Sequence, residues 1–215
     1  LSSLRLLYTM GDNILEYNGG SVIAMAGKDC VAIASDLRFG IKNNTVGFDH
    51  SKVYRMNSST FIGLPGLISD AQTMYEKLAF RLNLYELSEE KEMTPKTFAS
   101  MVQSVLYEKR FGPYFVEPVV AGLDADGKPY LCGMDLIGAP ESSQDFILAG
   151  TSAQAMFGLA ETLWRPNMNQ DELFETISQT LLNALDRDAI AGWGARVHII
   201  TKDQIITRDL KARQD

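Results

Sequence analysis

The chain has 215 residues, 46% of them hydrophobic and 22% charged, close to the averages of soluble globular domains. One domain of this size buries a self-sufficient core, so a disordered, collagen-like or disulfide-scaffold chain is excluded. Acidic residues outnumber basic ones 27 to 20, for a net charge of -7, and the one adjacent basic pair, Lys109-Arg110, follows Glu108; a nucleic-acid partner is not expected.

At the N-terminus, Leu1–Met10 is mildly apolar, but Arg5 interrupts it and no small-residue cleavage site follows. It does not read as a signal peptide. Met10 is a candidate start, which would make residues 1–9 an upstream extension. Residues 21–26 and 30–36 are short, apolar and partly β-branched, and Gly27-Lys28-Asp29 separates them. They predict a β-hairpin. Neither alternates strictly, which fits strands covered on both faces. Strands follow at Lys52–Met56 and Thr60–Leu64. Ile68, Ala71, Tyr75, Leu78, Ala79 and Leu82 then fall on one stripe of a helix ending near Leu87. Thr94-Pro95 opens a second helix, with threonine as N-cap and proline where its missing N–H costs nothing. Phe98, Met101, Val102, Val105 and Leu106 form its stripe.

The order then repeats. Pro118–Leu123 and Tyr130–Leu136 flank the turn Asp124-Ala125-Asp126-Gly127, and Asp145–Ala149 adds a strand. Helices are expected at Ser152–Leu163 and Asp171–Leu185, and Arg196–Thr201 with Gln204–Arg208 makes a last hairpin. Strands joined by hairpins imply antiparallel sheets. Two such sheets, stacked and flanked by helix pairs, satisfy strands that need cover on both sides. The fold expected is α+β, a four-layer α-β-β-α sandwich.

Composition excludes most site chemistry. Cys30 and Cys132 could pair, but each sits in an apolar segment and reads better as a buried free thiol. With His50 and His198 isolated, no zinc spacing exists. His198 alternates within a strand and is expected half-buried, and Met74, Met101 and Met156 read as core filler. Trp193, between two glycines, is read as covering either a helix end or an interface. No phosphate-cradling glycine pattern and no apolar run long enough for a membrane span is present.

Particular strings go further. Gly19-Gly20-Ser21-Val22-Ile23-Ala24-Met25 followed by Val31-Ala32-Ile33-Ala34-Ser35-Asp36 resembles the opening hairpin of proteasome β-type subunits. Gly63-Leu64-Pro65-Gly66-Leu67, Tyr107–Tyr114, Glu117–Gly122, Leu173–Gln179, Asp186–Ala189 and Leu210–Arg213 agree with that family in order and spacing. The resemblance runs from about residue 17 to the C-terminus. It divides the chain into an N-terminal extension, 1–19, and a single β-type domain, 20–215, with the N-terminal-nucleophile hydrolase fold.

The family resembled is a threonine peptidase. In its active members, autolysis after a glycine frees a threonine whose hydroxyl attacks the peptide carbonyl while its α-amine, titrating near neutrality, serves as base. Carried over by resemblance, Asp36 is the aspartate of the first hairpin, Lys52 the tuning lysine, Gly66 the oxyanion-side glycine and Asp188 the second aspartate. The nucleophile position falls on Gly20, and the network's serine on Ala191. Both hydroxyls are gone, so the resemblance implies a non-catalytic subunit with a vestigial site. The alternative is a self-processed peptidase using Ser21, against which stands the alternation of side chains along a strand. A free-standing ligand-binding domain is a third possibility.

The resemblance also implies partners: other β subunits in a seven-membered ring, a facing β ring and an adjacent α ring, in cytoplasm and nucleus. In this family the segment after the second sheet's hairpin reaches a neighbouring active subunit's substrate pocket. Here that segment is Asp135–Glu141. Asp135 and Glu141 are expected to present negative charge to a basic substrate side chain next door, unless they are simply loop charges. Ala139 replaces the expected cysteine. Some members hold a cation on backbone carbonyls near Asp188, but carbonyls leave no sequence signature, so neither metal nor cofactor is assigned.

Overall fold

The computed structural model describes residues 13–214; Leu1–Met10, with the candidate start at Met10, lies outside them. After a single 3₁₀ turn at Ile14–Glu16 comes the predicted hairpin, β1 (Ser21–Ala26) and β2 (Cys30–Asp36). A small hairpin follows, β3 (Phe39–Ile41) and β4 (Asn44–Gly47), then β5 (Val53–Arg55) and β6 (Thr60–Gly63). Helices α1 (Ile68–Glu89) and α2 (Pro95–Tyr107) precede β7 (Val119–Leu123), β8 (Pro129–Met134), β9 (Pro140–Ser143) and β10 (Phe146–Gly150). Helices α3 (Ala153–Leu163) and α4 (Gln170–Leu185) and the hairpin β11 (Ala195–Thr201), β12 (Ile205–Leu210) complete the chain.

Two five-stranded sheets result, ordered β10-β1-β2-β11-β12 and β5-β6-β7-β8-β9, and every neighbouring pair in them is antiparallel. Strand alternation builds three cores at once. Along β1, Val22 and Ala24 enter the layer between the sheets, while Ile23 and Met25 face α3 and α4. Along β7, Val119 and Ala121 face the other sheet, while Val120 faces α1 and α2. This is why β1, β2 and β7 are buried along their whole length and why their sequences do not alternate apolar with polar. The four-layer sandwich is therefore the observed architecture.

The helix ends obey local chemistry. The Thr97 amide donates to Thr94 Oγ1 at the start of α2. Asn169 Oδ1 accepts from the amides of Asp171 and Glu172, and Glu172 reaches back to the Asn169 amide, a complete capping box on α4. Helix α1 has no such residue of its own, because Leu67 sits at its N-cap. Its Ile68 amide donates instead to Asn18 Oδ1 at 3.0 Å, fifty positions upstream.

The structure departs from expectation at three places. The β3–β4 hairpin carries few buried residues and so gave no apolar pattern. Strand β9 reads Pro-Glu-Ser-Ser and is mostly exposed at a sheet edge, where proline at the first position costs no ladder bond. The strand expected over Tyr130–Leu136 ends at Met134, because Asp135 and Leu136 turn toward β9. Met74 and Met156 are fully buried, Met101 half-buried, and His198 half-buried against Phe61, with ring centroids 5.2 Å apart. Both cysteines are free and buried.

Candidate functional site

The first hairpin, the turn after β4 and the loop between α4 and β11 converge behind Gly20. Asp36 ends β2, wholly buried, and its carboxylate is saturated. Oδ1 accepts the Ser21 amide at 3.0 Å and pairs with Lys52 Nζ at 3.0 Å. Oδ2 accepts the amides of Arg38 and Gly192, each at 3.2 Å. Lys52, 2% exposed, also donates to the carbonyls of Arg38 at 2.6 Å and Asp36 at 3.3 Å. Burial pushes the Lys52 ammonium below the ordinary lysine value, and the adjacent Asp36 opposes that shift. A carboxylate with four donors and an ammonium with three acceptors form a closed set.

Gly20 stands against this pair. Its φ is +110°, a conformation that side chains rarely adopt. A Cβ built there would lie 2.6 Å from Lys52 Cε and 3.2 Å from Lys52 Nζ. The lysine therefore occupies the space that a side chain at position 20 would need. The Gly20 carbonyl accepts the Thr151 amide at 3.1 Å.

Asp188 joins through that contact. Its Oδ2 accepts hydrogen bonds from the hydroxyls of Thr151 at 2.6 Å and Ser152 at 2.5 Å, and its Oδ1 accepts the Ile190 amide at 3.0 Å. Ser21 is fully buried, and its hydroxyl oxygen accepts the Ser152 amide at 2.9 Å. Its side chain is thus engaged toward the start of α3, while its backbone amide meets Asp36, as alternation along β1 requires. Ala191 is buried in the layer between the first sheet and α3 and α4. It offers no polar atom beyond the main chain.

In front of this network lies a cleft of about 620 Å³, lined by Gly66, Glu117, Gly150 and Thr151 and, from the N-terminal segment, by Leu15 and Glu16. Asp135, Ala139 and Glu141 line the same cleft. Asp135 holds its own turn together: its Oδ1 accepts the Ile137 and Ala139 amides at 3.1 and 2.8 Å. Glu141 is exposed on β9.

Gly20, Asp36 and Lys52 thus meet directly, Asp188 joins them through Thr151, and Gly66 with the Asp135–Glu141 segment lies along the adjoining cleft. Sequence reasoning did not find Arg38, Thr151, Ser152 or Asn18. All four are tied in by contacts between distant parts of the chain, for which no local pattern exists.

The chain resembles known proteins along nearly all of its length. It is 55% identical over 204 residues to a proteasome subunit beta type-3 from Dictyostelium discoideum and to one from Drosophila melanogaster. It is 53% identical over 203 residues to a probable proteasome subunit beta type-3 from Schizosaccharomyces pombe. Each comparison covers 94% of this chain and the whole of the relative. The family model described as "Proteasome subunit" matches residues 16–200. That span takes in Gly20, Asp36, Lys52 and Asp188 and, among the described residues, all four helices and the strands from β1 to β11 but for Thr201 at its end, and the chain belongs to the proteasome subunit family.

Proposed function

We propose that this chain is a non-catalytic β subunit of the 20S proteasome core particle, which degrades proteins in the ubiquitin-dependent pathway. In this reading it sits in a seven-membered β ring, against a facing β ring and an α ring, in cytoplasm and nucleus. The observation that carries the reading is Gly20: no side chain, φ of +110°, and the place of a Cβ taken by Lys52. Hydrolysis of the family's type needs a hydroxyl at that place and a free α-amine beside it. Here the position carries only hydrogen. Ser21 offers no substitute, because its hydroxyl is buried and bonded to the Ser152 amide.

The test uses the purified assembly that contains this chain, treated with an epoxyketone probe of threonine nucleophiles. The expected result is an intact chain, uncleaved at Gly19-Gly20 and free of adduct, while other chains of the same assembly are labelled. A chain beginning at Gly20 or Ser21, or one carrying the probe, would overturn the reading.

A second role belongs to the same proposal. Asp135 and Glu141 project negative charge from the exposed turn and β9, which suits a basic substrate side chain held in a neighbouring subunit's pocket. Asp135→Asn preserves the amide acceptor that holds the turn. It is expected to slow cleavage after basic residues and leave cleavage after apolar ones unchanged, as read with fluorogenic peptides.

A further inference from the structure

Among the described residues Arg38 is the bulkiest of the fully buried side chains, 1% exposed, yet its guanidinium pairs with no carboxylate among them. Instead it donates to four acceptors from three separate parts of the chain. Nη1 donates to the carbonyls of Asn18 at 3.2 Å and Ile190 at 3.1 Å. Nη2 donates to the Lys42 carbonyl at 2.9 Å, and Nε to the Thr45 hydroxyl at 3.0 Å. The first acceptor belongs to the segment before Gly20, the second to the loop after α4, and the last two to the β3–β4 hairpin. Space for the guanidinium is left by Gly40, where a Cβ would collide with it.

The segment before Gly20 is tied down at other points too. Asn18, 5% exposed, donates through Nδ2 to the Gly40 carbonyl at 2.9 Å and caps α1 through Oδ1. The Lys42 amide donates to the Tyr17 carbonyl at 2.7 Å. Beyond these tethers, Asn13, Leu15 and Glu16 form one wall of the cleft.

We propose that Arg38 is a strut that locks residues 13–19 into the domain as a fixed wall of the cleft. A buried guanidinium with a fork of directed donors suits several carbonyls at once, and a lysine ammonium cannot span them. The segment is thereby held in place along the cleft. This inference stands whether or not the chain assembles into a ring.

The test is backbone hydrogen exchange read by mass spectrometry on the full chain, purified in the assembly it forms in its own cells. Arg38→Lys keeps the charge and loses the fork. Gly40→Ala keeps the arginine and evicts its head group. Both are expected to speed exchange over residues 40–45, including the Lys42 amide, and over 13–19, by on the order of tenfold. Exchange in α4 is expected to stay unchanged. Unaltered exchange over 13–19 in both variants would overturn the strut, and so would acceleration spread evenly through α4. If neither variant folds, Thr45→Val decides the matter. It removes the Nε acceptor of Arg38 and leaves the Asn18 side-chain contacts to Gly40 and Ile68 in place, and faster exchange over residues 13–19 is expected. Unchanged exchange there would overturn the proposal.

Discussion

A threonine at position 20 would have to adopt a φ near +110° and displace Lys52 from its place 2.6 Å from the new Cβ. Left-handed backbone costs a β-branched residue about 1–3 kcal/mol. Moving the lysine also uncouples its buried ion pair with Asp36. Gly20→Thr is therefore expected to lower the thermal midpoint and to gain no peptidase activity, even when combined with Ala191→Ser. Turnover of a fluorogenic peptide by the double variant would show that the backbone at position 20 is no obstacle to a working nucleophile. The site's membership was legible only in part. Gly20, Asp36, Lys52, Gly66 and Asp188 became visible through strings shared with a family, since spacing alone assigns no role to an aspartate sixteen positions from a lysine. Thr151 and Ser152 reach Asp188 across more than thirty residues, and nothing in their local sequence marks them.

The elements themselves were readable wherever burial imposes a period. Helices α2 and α4 declared themselves by their stripes and caps, and β1, β2 and β7 by apolar runs too short for helices. Strands β3, β4 and β9 stayed hidden because a mostly exposed strand need not be apolar. One feature of the sheet-on-sheet contact was hidden for another reason. Gly63 on β6 faces Val22 on β1, and a Cβ at 63 would run into Val22 Cγ1; the sheets approach closely there because the glycine has no side chain. Gly63→Ala is expected to destabilise by about 1–3 kcal/mol through overpacking. Val22→Ala, which alone leaves a small cavity, should restore part of that loss when added to it. The check is a double-mutant cycle on urea midpoints, where simple additivity would mean that the two residues do not share the space.

At the scale of the whole molecule, alkaline stability separates opposing titrations. The Cys30 thiol, 2% exposed in the layer between the first sheet and α3 and α4, is pushed from 9.0 up to about 11 by burial, with the charge of Asp29 adding to it. Between those values the unfolded chain has lost a proton that the native state keeps. Stability from this group is thus complete below pH 9 and lost as pH rises toward 11. The Cys132 thiol, also raised by burial, acts in the same direction. Lys52 acts in the other: its lowered value means the unfolded chain binds more protons, so its contribution rises with pH up to the ordinary lysine range. Cys30→Ala isolates one of these. Its loss of packing is the same at every pH, whereas the alkaline slope depends on the thiol. The variant is expected to lose roughly 2–3 kcal/mol less stability than the parent between about pH 9 and 11, measured as unfolding free energy at each pH. Parallel curves for the two proteins would mean that the thiol ionises as readily in the fold as out of it, and that β2 opens to hydroxide at alkaline pH.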